Sequence, residues 1–206
     1  MWKVPSKVDV DIPDGKVGKW SICTVTVSKR DADFAAMRSA MHGNSRYVPE
    51  GTYKGLKRDG AWDMIMSNTP DEIRDMYSFF KEARGKVLIN GLGLGVALKV
   101  ILEKKNEDNK YAVDHVTVIE QSEDVIKLVG EHFIKKYPDR LNIIQADALT
   151  YKPTNKYDVV FHDIWDNICS DNLNDMKLLH RKYGKRTKWQ ASWCRELCEM
   201  YKRRDG

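Results

Sequence analysis

Residues 86–102 read KVLINGLGLGVALKVIL. VLIN (87–90) is a short apolar run of the kind that forms a buried strand, and the pattern from about 95 to 105 repeats as a helix does. Between them stand Gly91, Gly93 and Gly95. A glycine-rich turn at the end of a strand lets the backbone take conformations that a Cβ would forbid. It also lets a ligand approach the unpaired N–H groups of the helix that follows. Taken alone, the turn has two readings: a nucleotide cradle, or a tight strand-to-helix connection.

The neighbouring sequence repeats the alternation. HVTVIE (115–120) reads as a strand, 122–136 as a helix stopped near Pro138, LNIIQ (141–145) as a strand and YDVVFHDI (157–164) as another. Upstream, Thr69 followed by Pro70, Asp71 and Glu72 opens a helix with an Ile73, Met76, Tyr77, Phe80 stripe, ended by Gly85. Strands with little polar alternation, separated by amphipathic helices, predict a parallel sheet covered on both faces. The expected fold is α/β: a Rossmann-like, mainly parallel sheet with helices on both faces, an N-terminal β-hairpin and irregular extension, and a helical C-terminus.

In the N-terminal part, KVDVDI (7–12) and KWSICTVTV (19–27) are expected to form the hairpin around PDGKVG. Asp31 would cap a helix running to Met41, with Phe34, Met37 and Met41 on one face. Residues 43–69 read as an irregular cover in which Tyr47, Tyr53 and Trp62 seek burial. After Asp163 no strand is expected, only helices over 171–182 and 188–203. The second would gather Trp189, Trp193, Cys194, Leu197 and Met200 on an apolar side. The division that follows is 1–69 as an N-terminal extension and 70–206 as the sheet domain with its helical tail.

A chain of 206 residues, 42% hydrophobic and 32% charged, is long enough for one domain with a substantial core. No apolar run approaches the ~20 residues of a membrane span, and the first residues lack the apolar stretch of a signal peptide. The expectation is a cytoplasmic protein with no membrane partner. The formal charge of +5 is uneven: residues 176–206 hold ten Lys or Arg against three Asp or Glu, which leaves the remainder near −2. That basic tail reads as a solvated helix face, with nucleic acid as the alternative partner. The four cysteines form no CxxC pair. Cys194 and Cys198, four apart, read as packing rather than as a metal or redox pair, and no metal site is expected.

Several residues at the strand ends could carry chemistry. Glu120 closes the second strand, where a carboxylate can accept hydrogen bonds from both ribose hydroxyls, with Gln121 beside it. It lies further from the glycines than the usual ~20 residues, an excess that the polar stretch EKKNEDNKYAVDH accounts for. The alternative for Glu120 is a cap for the helix at 122. Asp147 and Ala148, in QADAL after the third strand, could meet an adenine through a carboxylate and a backbone N–H. Asp163 ends the fourth strand. His162 points the opposite way along an extended strand and reads as structural. Asp163, Asp166, Asp171 and Asp175 carry no basic residue among them, which would favour a cationic acceptor. Trp165 could wall that site. In AWDMIMSNT (61–69), Trp62 and Ser67 are weak candidates for a segment folding over a ligand.

VLINGLGLG, VTVIEQS, IIQADAL and YDVVFHDIWD together resemble the successive motifs of class I S-adenosylmethionine-dependent methyltransferases, and are most similar to the spermidine-synthase-like branch. The resemblance covers about residues 70–170. It implies S-adenosylmethionine as cofactor, with Gly91, Gly93 and Gly95 at its methionine part, Glu120 at the ribose, and Asp147 and Ala148 at the adenine, and with Gln121 and Asp163 also among the residues that bind it. Asp163 would stand at the reacting centre, with Asp166 as a second catalytic candidate. The sequence departs from the branch at Leu94, where those synthases have Asp. It also lacks the Asn/Asp-Pro-Pro-Tyr signature of many enzymes that methylate nucleic-acid amino groups; HDIW stands in its place. A dinucleotide fingerprint would need a small residue where Val96 stands. The expected function is methyl transfer to a small, amine-like acceptor. The alternatives are aminopropyl transfer to a polyamine, or a non-catalytic adenosyl-binding regulator.

Overall fold

The strand that opens the glycine stretch lies at the centre of a five-stranded parallel sheet. In this computed structural model, residues 2–42 and 47–205 are described. The sheet is made of β5 (Gly85–Asn90), β6 (Val113–Glu120), β7 (Leu141–Gln145), β8 (Tyr157–His162) and β9 (Thr187–Ser192) in the order β7-β6-β5-β8-β9. The chain moves outward from β5 to β6 and β7, then returns to place β8 and β9 on the other side. The strand order therefore reverses beside β5, where ligands bind in open α/β sheets.

Alternation along β5 builds both faces of the core. Val87 and Ile89 join one cluster with Leu98, Ile101 and Phe133; Leu88 joins a second with Val160, Leu179 and Tyr183. The first face is covered by α4 (Val96–Glu103) and by a helical stretch composed of α5 (Glu123–Val125), a π-helical turn (Ile126–Gly130) and α6 (Glu131–Lys136). The second is covered by α7 (Asn172–Tyr183). Each such side chain contributes about 1.5–3 kcal/mol on burial, so the sheet is the main source of stability. The fold is the Rossmann-like α/β architecture with helices on both faces.

Two short helices, α2 (Pro70–Asp75) and α3 (Tyr77–Glu82), stand where the Thr69–Pro70 signal placed a helix. Ile73, Met76, Phe79 and Phe80 are buried, and Phe79 stacks on Phe161 with ring centroids 4.4 Å apart. Tyr77 is half exposed and not part of the stripe. Lys104, 9% exposed, donates to the carbonyls of Phe80, Lys81 and Ala83 at 2.7–2.9 Å and so closes the end of α3.

The N-terminal part is more ordered than its sequence suggests. β1 (Gly15–Val17), β2 (Trp20–Val27), β3 (Gly51–Arg58) and β4 (Met66–Ser67) form a four-stranded antiparallel sheet in sequential order. The hairpin exists, but its first strand is 15–17 and not 7–12. Val8, Val10 and Ile12 are buried, so the alternation in KVDVDI reports an extended segment lying on the core without a ladder partner. The Ile12 N–H turns back to the Val10 carbonyl at 2.9 Å. The irregular cover expected over 43–69 contains β3 and β4; its residues 43–46 lie outside the described residues. Tyr53 is buried as expected, but Tyr47 is exposed, and Trp62, at the turn between β3 and β4, is 96% exposed.

α1 runs from Lys29 to Met41 with Ser28, not Asp31, at its N-cap: the Ser28 hydroxyl accepts the Asp31 N–H at 3.2 Å. Phe34, Met37 and Met41 are exposed, because α1 buries Ala32 instead. The largest correction falls at the C-terminal end. Thr187–Ser192 is a parallel strand beside β8, and the last helix, α8, begins only at Arg195. The four-residue spacing of Trp189 and Trp193 imitates a helix, but Cys194 at φ 49° separates the strand from α8. As an edge strand β9 is only part-buried, so TKWQAS lacks the continuous apolar run of its inner neighbours.

Candidate functional site

The carboxyl ends of the five parallel strands are locked to one another. The Gly91 N–H donates to the Ile119 carbonyl (2.8 Å), Ala146 N–H to Glu120 (3.0 Å), Asp163 N–H to Asn90 (2.8 Å) and Trp193 N–H to His162 (2.8 Å). Beyond them opens a cavity of about 240 Å³. Gly91, Gly93, Glu120, Gln121, Asp147, Ala148, Asp163 and Asp166 all line it. Residues chosen from four separate sequence motifs thus converge on one space.

Gly91 is required where it stands. Its φ is +96°, and a Cβ there would lie 1.9 Å from the Asp163 carbonyl oxygen. Only glycine lets the ends of β5 and β8 come this close. Gly95 has another task. It is the N-cap of α4 at φ 77°, and a Cβ on it would strike the Phe133 ring at 2.3 Å. Gly95 does not line the cavity, unlike the other two glycines.

Glu120 is 8% exposed, and both its oxygens are engaged: Oε2 accepts the Leu92 N–H at 2.9 Å and Oε1 the Ser122 N–H at 2.8 Å. Burial pushes its carboxyl above the usual range, and the backbone donors pull it back. Asp147 shapes its own turn. Its Oδ1 accepts the Leu149 N–H at 2.8 Å, and Lys182 donates to the Ala148 and Leu149 carbonyls at 2.8 and 2.6 Å. The loop after β7 is therefore pinned from α7.

Asp163 is pushed up to about 8, first by desolvation and then by the negative charges of Glu72 and Asp75. A carboxyl so placed holds its proton near neutral pH and is a stronger base once ionised. Asp166 is different: it is exposed at the rim and ion-paired with Arg58. Arg58 also lies over the Trp20 ring at 5.4 Å, and Trp20 and Arg58 face each other across β2 and β3. The N-terminal sheet is thus the roof of the cavity.

His162, next to Asp163, points into the second core cluster. It is fully buried between Asn90 (2.7 Å) and Gln190 (3.2 Å). Desolvation lowers it to about 3, so it stays neutral and structural, as its strand position predicted. Of the other acids after β8, Asp175 lines the cavity and meets the Trp165 Nε1 at 3.5 Å, whereas Asp171 stands at the N-cap of α7, away from it. Trp165 is a wall.

Trp62 and Ser67 do not line the cavity; Ile65 and Met66 from the same segment do. Ser67 is buried with its hydroxyl 2.9 Å from that of Thr69. Sequence reasoning did not place Trp20, Arg58, Met66, Glu72 or Trp193 at the site. Glu72 carries the sequence signature of a helix-start acid, and nothing local marks it as facing Asp163. The lining includes six carboxylates and one basic side chain, Arg58. With Asp163 protonated near neutral pH and Asp166 paired with Arg58, the remaining acids Glu72, Glu120, Asp147 and Asp175 leave a negative field that favours positively charged ligands. Among the described residues, no group of three or more His, Cys, Asp or Glu side chains is arranged to hold a metal ion, and the cysteines are free.

Neither a protein-family model nor a curated protein matches the sequence. Solved structures show distant, partial likeness. A DhpI–SAM–HEP complex is 20% identical over 52% of this chain and 43% of its own, with a TM-score of 0.38. An S-adenosylmethionine-dependent methyltransferase from Clostridium acetobutylicum is 12% identical over 57% and 44%, at 0.40. The glycopeptide N-methyltransferase MtfA is 16% identical over 56% and 47%, at 0.40. The matched part is less than half the length of each of these three chains. No helix among the described residues is long and apolar enough to cross a membrane.

Proposed function

We propose that the chain is an S-adenosylmethionine-dependent methyltransferase acting on a small, amine-like acceptor. In this reading residues 70–206 hold the cofactor and residues 1–69 cover it. The observation that carries the proposal is the convergence of Gly91, Glu120, Asp147 and Asp163 on one cavity at the point where the strand order reverses. The residues fit the cofactor: glycine backbone for close approach, a carboxylate at the end of β6 and a pinned turn after β7.

In this assignment Gly91 and Gly93 border the methionine part. Glu120 and Gln121 meet the ribose, Glu120 through lone pairs left after its two backbone bonds. Asp147 and the Ala148 N–H meet the adenine. S-adenosylmethionine supplies a methyl group activated on a sulfonium. The protein's own work is alignment of the acceptor for in-line attack, where most of the rate gain lies. Asp163 accepts a proton from an acceptor nitrogen, and its raised affinity for protons suits that task. Asp166, held by Arg58, closes the rim and is not assigned to proton transfer.

The test is calorimetry with S-adenosylmethionine, S-adenosylhomocysteine, decarboxylated S-adenosylmethionine and NAD, followed by mass spectrometry of an amine panel and of RNA and DNA oligonucleotides. Binding of the first two and gain of one methyl on an amine are expected. Preference for the decarboxylated form, methylation of oligonucleotides alone, or binding of no adenosyl ligand would each overturn the reading.

A further inference from the structure

Met66 reaches the glycine turn from the N-terminal sheet. Its sulfur accepts the Leu94 N–H at 3.1 Å and lies 2.5 Å from where a Cβ on Gly93 would stand. It is 8% exposed and lines the cavity. The room that Gly93 leaves by having no side chain is taken by a methionine from another sheet.

The pairing is chemically unequal. A backbone N–H just ahead of a helix is a good donor, and the helix dipole biases it toward anions. A thioether is a weak acceptor. Methionine is also the apolar side chain that repacks most readily. An oxygen, above all a carboxylate oxygen, would make a stronger bond to the same N–H. The segment that carries Met66 is fixed at its flanks, by the Ile65 N–H on the Leu56 carbonyl at 2.9 Å and the Asn68 N–H on the Lys54 carbonyl at 3.1 Å, so the side chain and not the strand is the part free to move. β4 is two residues long and forms the edge of its sheet, in register with β3 only at Gly55↔Ser67 and Leu56↔Met66.

We propose that Met66 is a gating residue: in the free protein it holds the Leu94 N–H and the space over Gly93, and a ligand bearing an amino-acid end enters by displacing it. The proposal rests on the adenosyl reading above and adds to it the part of the ligand that the gate senses.

The test compares S-adenosylhomocysteine with 5′-methylthioadenosine, which lacks the amino-acid end, by calorimetry on the full chain. Met66→Leu keeps the bulk and removes the acceptor; Met66→Ala removes both. Removing a closed state relieves the affinity it withholds, so the Kd for S-adenosylhomocysteine should fall about threefold in M66L and about tenfold in M66A, with 5′-methylthioadenosine changed less than about twofold. An unchanged or weaker S-adenosylhomocysteine Kd, or an equal gain for both ligands, overturns the gate while leaving the cofactor assignment standing. Binding of neither ligand to any of the three proteins removes both. Independently, 13C-methyl methionine spectra of the unsubstituted protein should show the Met66 signal, identified by its loss in M66L, moving with S-adenosylhomocysteine and not with 5′-methylthioadenosine. A stationary signal under saturating S-adenosylhomocysteine refutes the gate.

Discussion

Glu120 Oε2 accepts the Leu92 N–H at 2.9 Å, so the carboxylate that ends β6 braces the glycine turn that follows β5. The same side chain steadies the entry to the next helix through the Ser122 N–H. An ionised carboxylate offers about four lone-pair sites, and these two bonds leave sites for a ligand's hydroxyls. The cap that the sequence offered to Glu120 falls to Ser122, whose hydroxyl accepts the Val125 N–H at 3.3 Å, and Glu120 supports that cap from behind while keeping lone pairs free.

Replacing Glu120 therefore acts twice. Glu120→Ala should weaken S-adenosylhomocysteine binding by roughly 1.5–3 kcal/mol and lower Tm, because the Leu92 and Ser122 N–H groups lose their partner. Glu120→Gln, which keeps one carbonyl acceptor, should lose less in both. Calorimetry paired with thermal unfolding checks this; full affinity in the alanine variant would place the sugar elsewhere.

Asp163 should govern the pH profile. With its carboxyl raised to about 8, turnover on an amine acceptor should climb toward that pH as the group ionises. Stability moves the other way. The folded state holds a proton that the unfolded chain has already released between about pH 4 and 8, so the raised group costs stability as pH rises through that window. Asp163→Asn should abolish turnover and spare S-adenosylhomocysteine binding. Its Tm should exceed that of the unsubstituted protein increasingly from pH 5 to 8, as parallel melts at stepped pH would record. Normal turnover in this variant would remove Asp163 from proton transfer.

The Arg58–Asp166 pair should matter for closure more than for folding. Part-exposed ion pairs contribute about 0–1 kcal/mol to stability, so Asp166→Asn should leave Tm nearly unchanged. The acceptor KM should rise several-fold while the S-adenosylhomocysteine Kd stays within about twofold, if the roof contacts the acceptor side. Steady-state kinetics with varied acceptor decides the point; a collapse of kcat with unchanged KM would return Asp166 to the chemistry.

His162→Phe should unfold more easily by roughly 2–4 kcal/mol, since Asn90 and Gln190 each lose a buried partner. In the unsubstituted protein the neutral, buried ring should make stability fall as pH drops below about 6.5, because the unfolded chain then binds a proton that the folded one refuses until about 3. Because the Asp163 contribution runs the opposite way over this range, urea titrations of the unsubstituted and His162→Phe proteins at pH 5 and 7 isolate the ring's effect as the difference between the two, and an unperturbed His162→Phe midpoint would deny the ring its structural role.

The central sheet was legible because inner strands bury both faces and write that burial as continuous apolar runs: VLIN, VTVIE and DVVF each fall within an inner strand. β9 was not, because an edge strand leaves polar side chains in place, and its tryptophans happened to fall at helical spacing. The site followed the same division. Residues at strand ends were found because topology gathers strand ends. Glu72, Arg58 and Met66 were missed because they reach the cavity from elements whose placement depends on how one sheet packs against another, which no local pattern states. Trp62 shows the converse: a large apolar residue reads as buried, yet the turn between β3 and the two-residue β4 has nothing to cover it.

Lys104 has a consequence for chemical labelling. Its ammonium sits among three carbonyls at the end of α3 and beside the Trp2 ring at 5.2 Å, and burial lowers its hold on its proton. Amine-selective reagents should modify the surface lysines long before this one. Its reactivity, followed by peptide mass spectrometry, would report the opening of a single helix end rather than of the whole chain, giving a built-in probe for whether α2 and α3, which carry Glu72 and Asp75 toward Asp163, loosen before the sheet does.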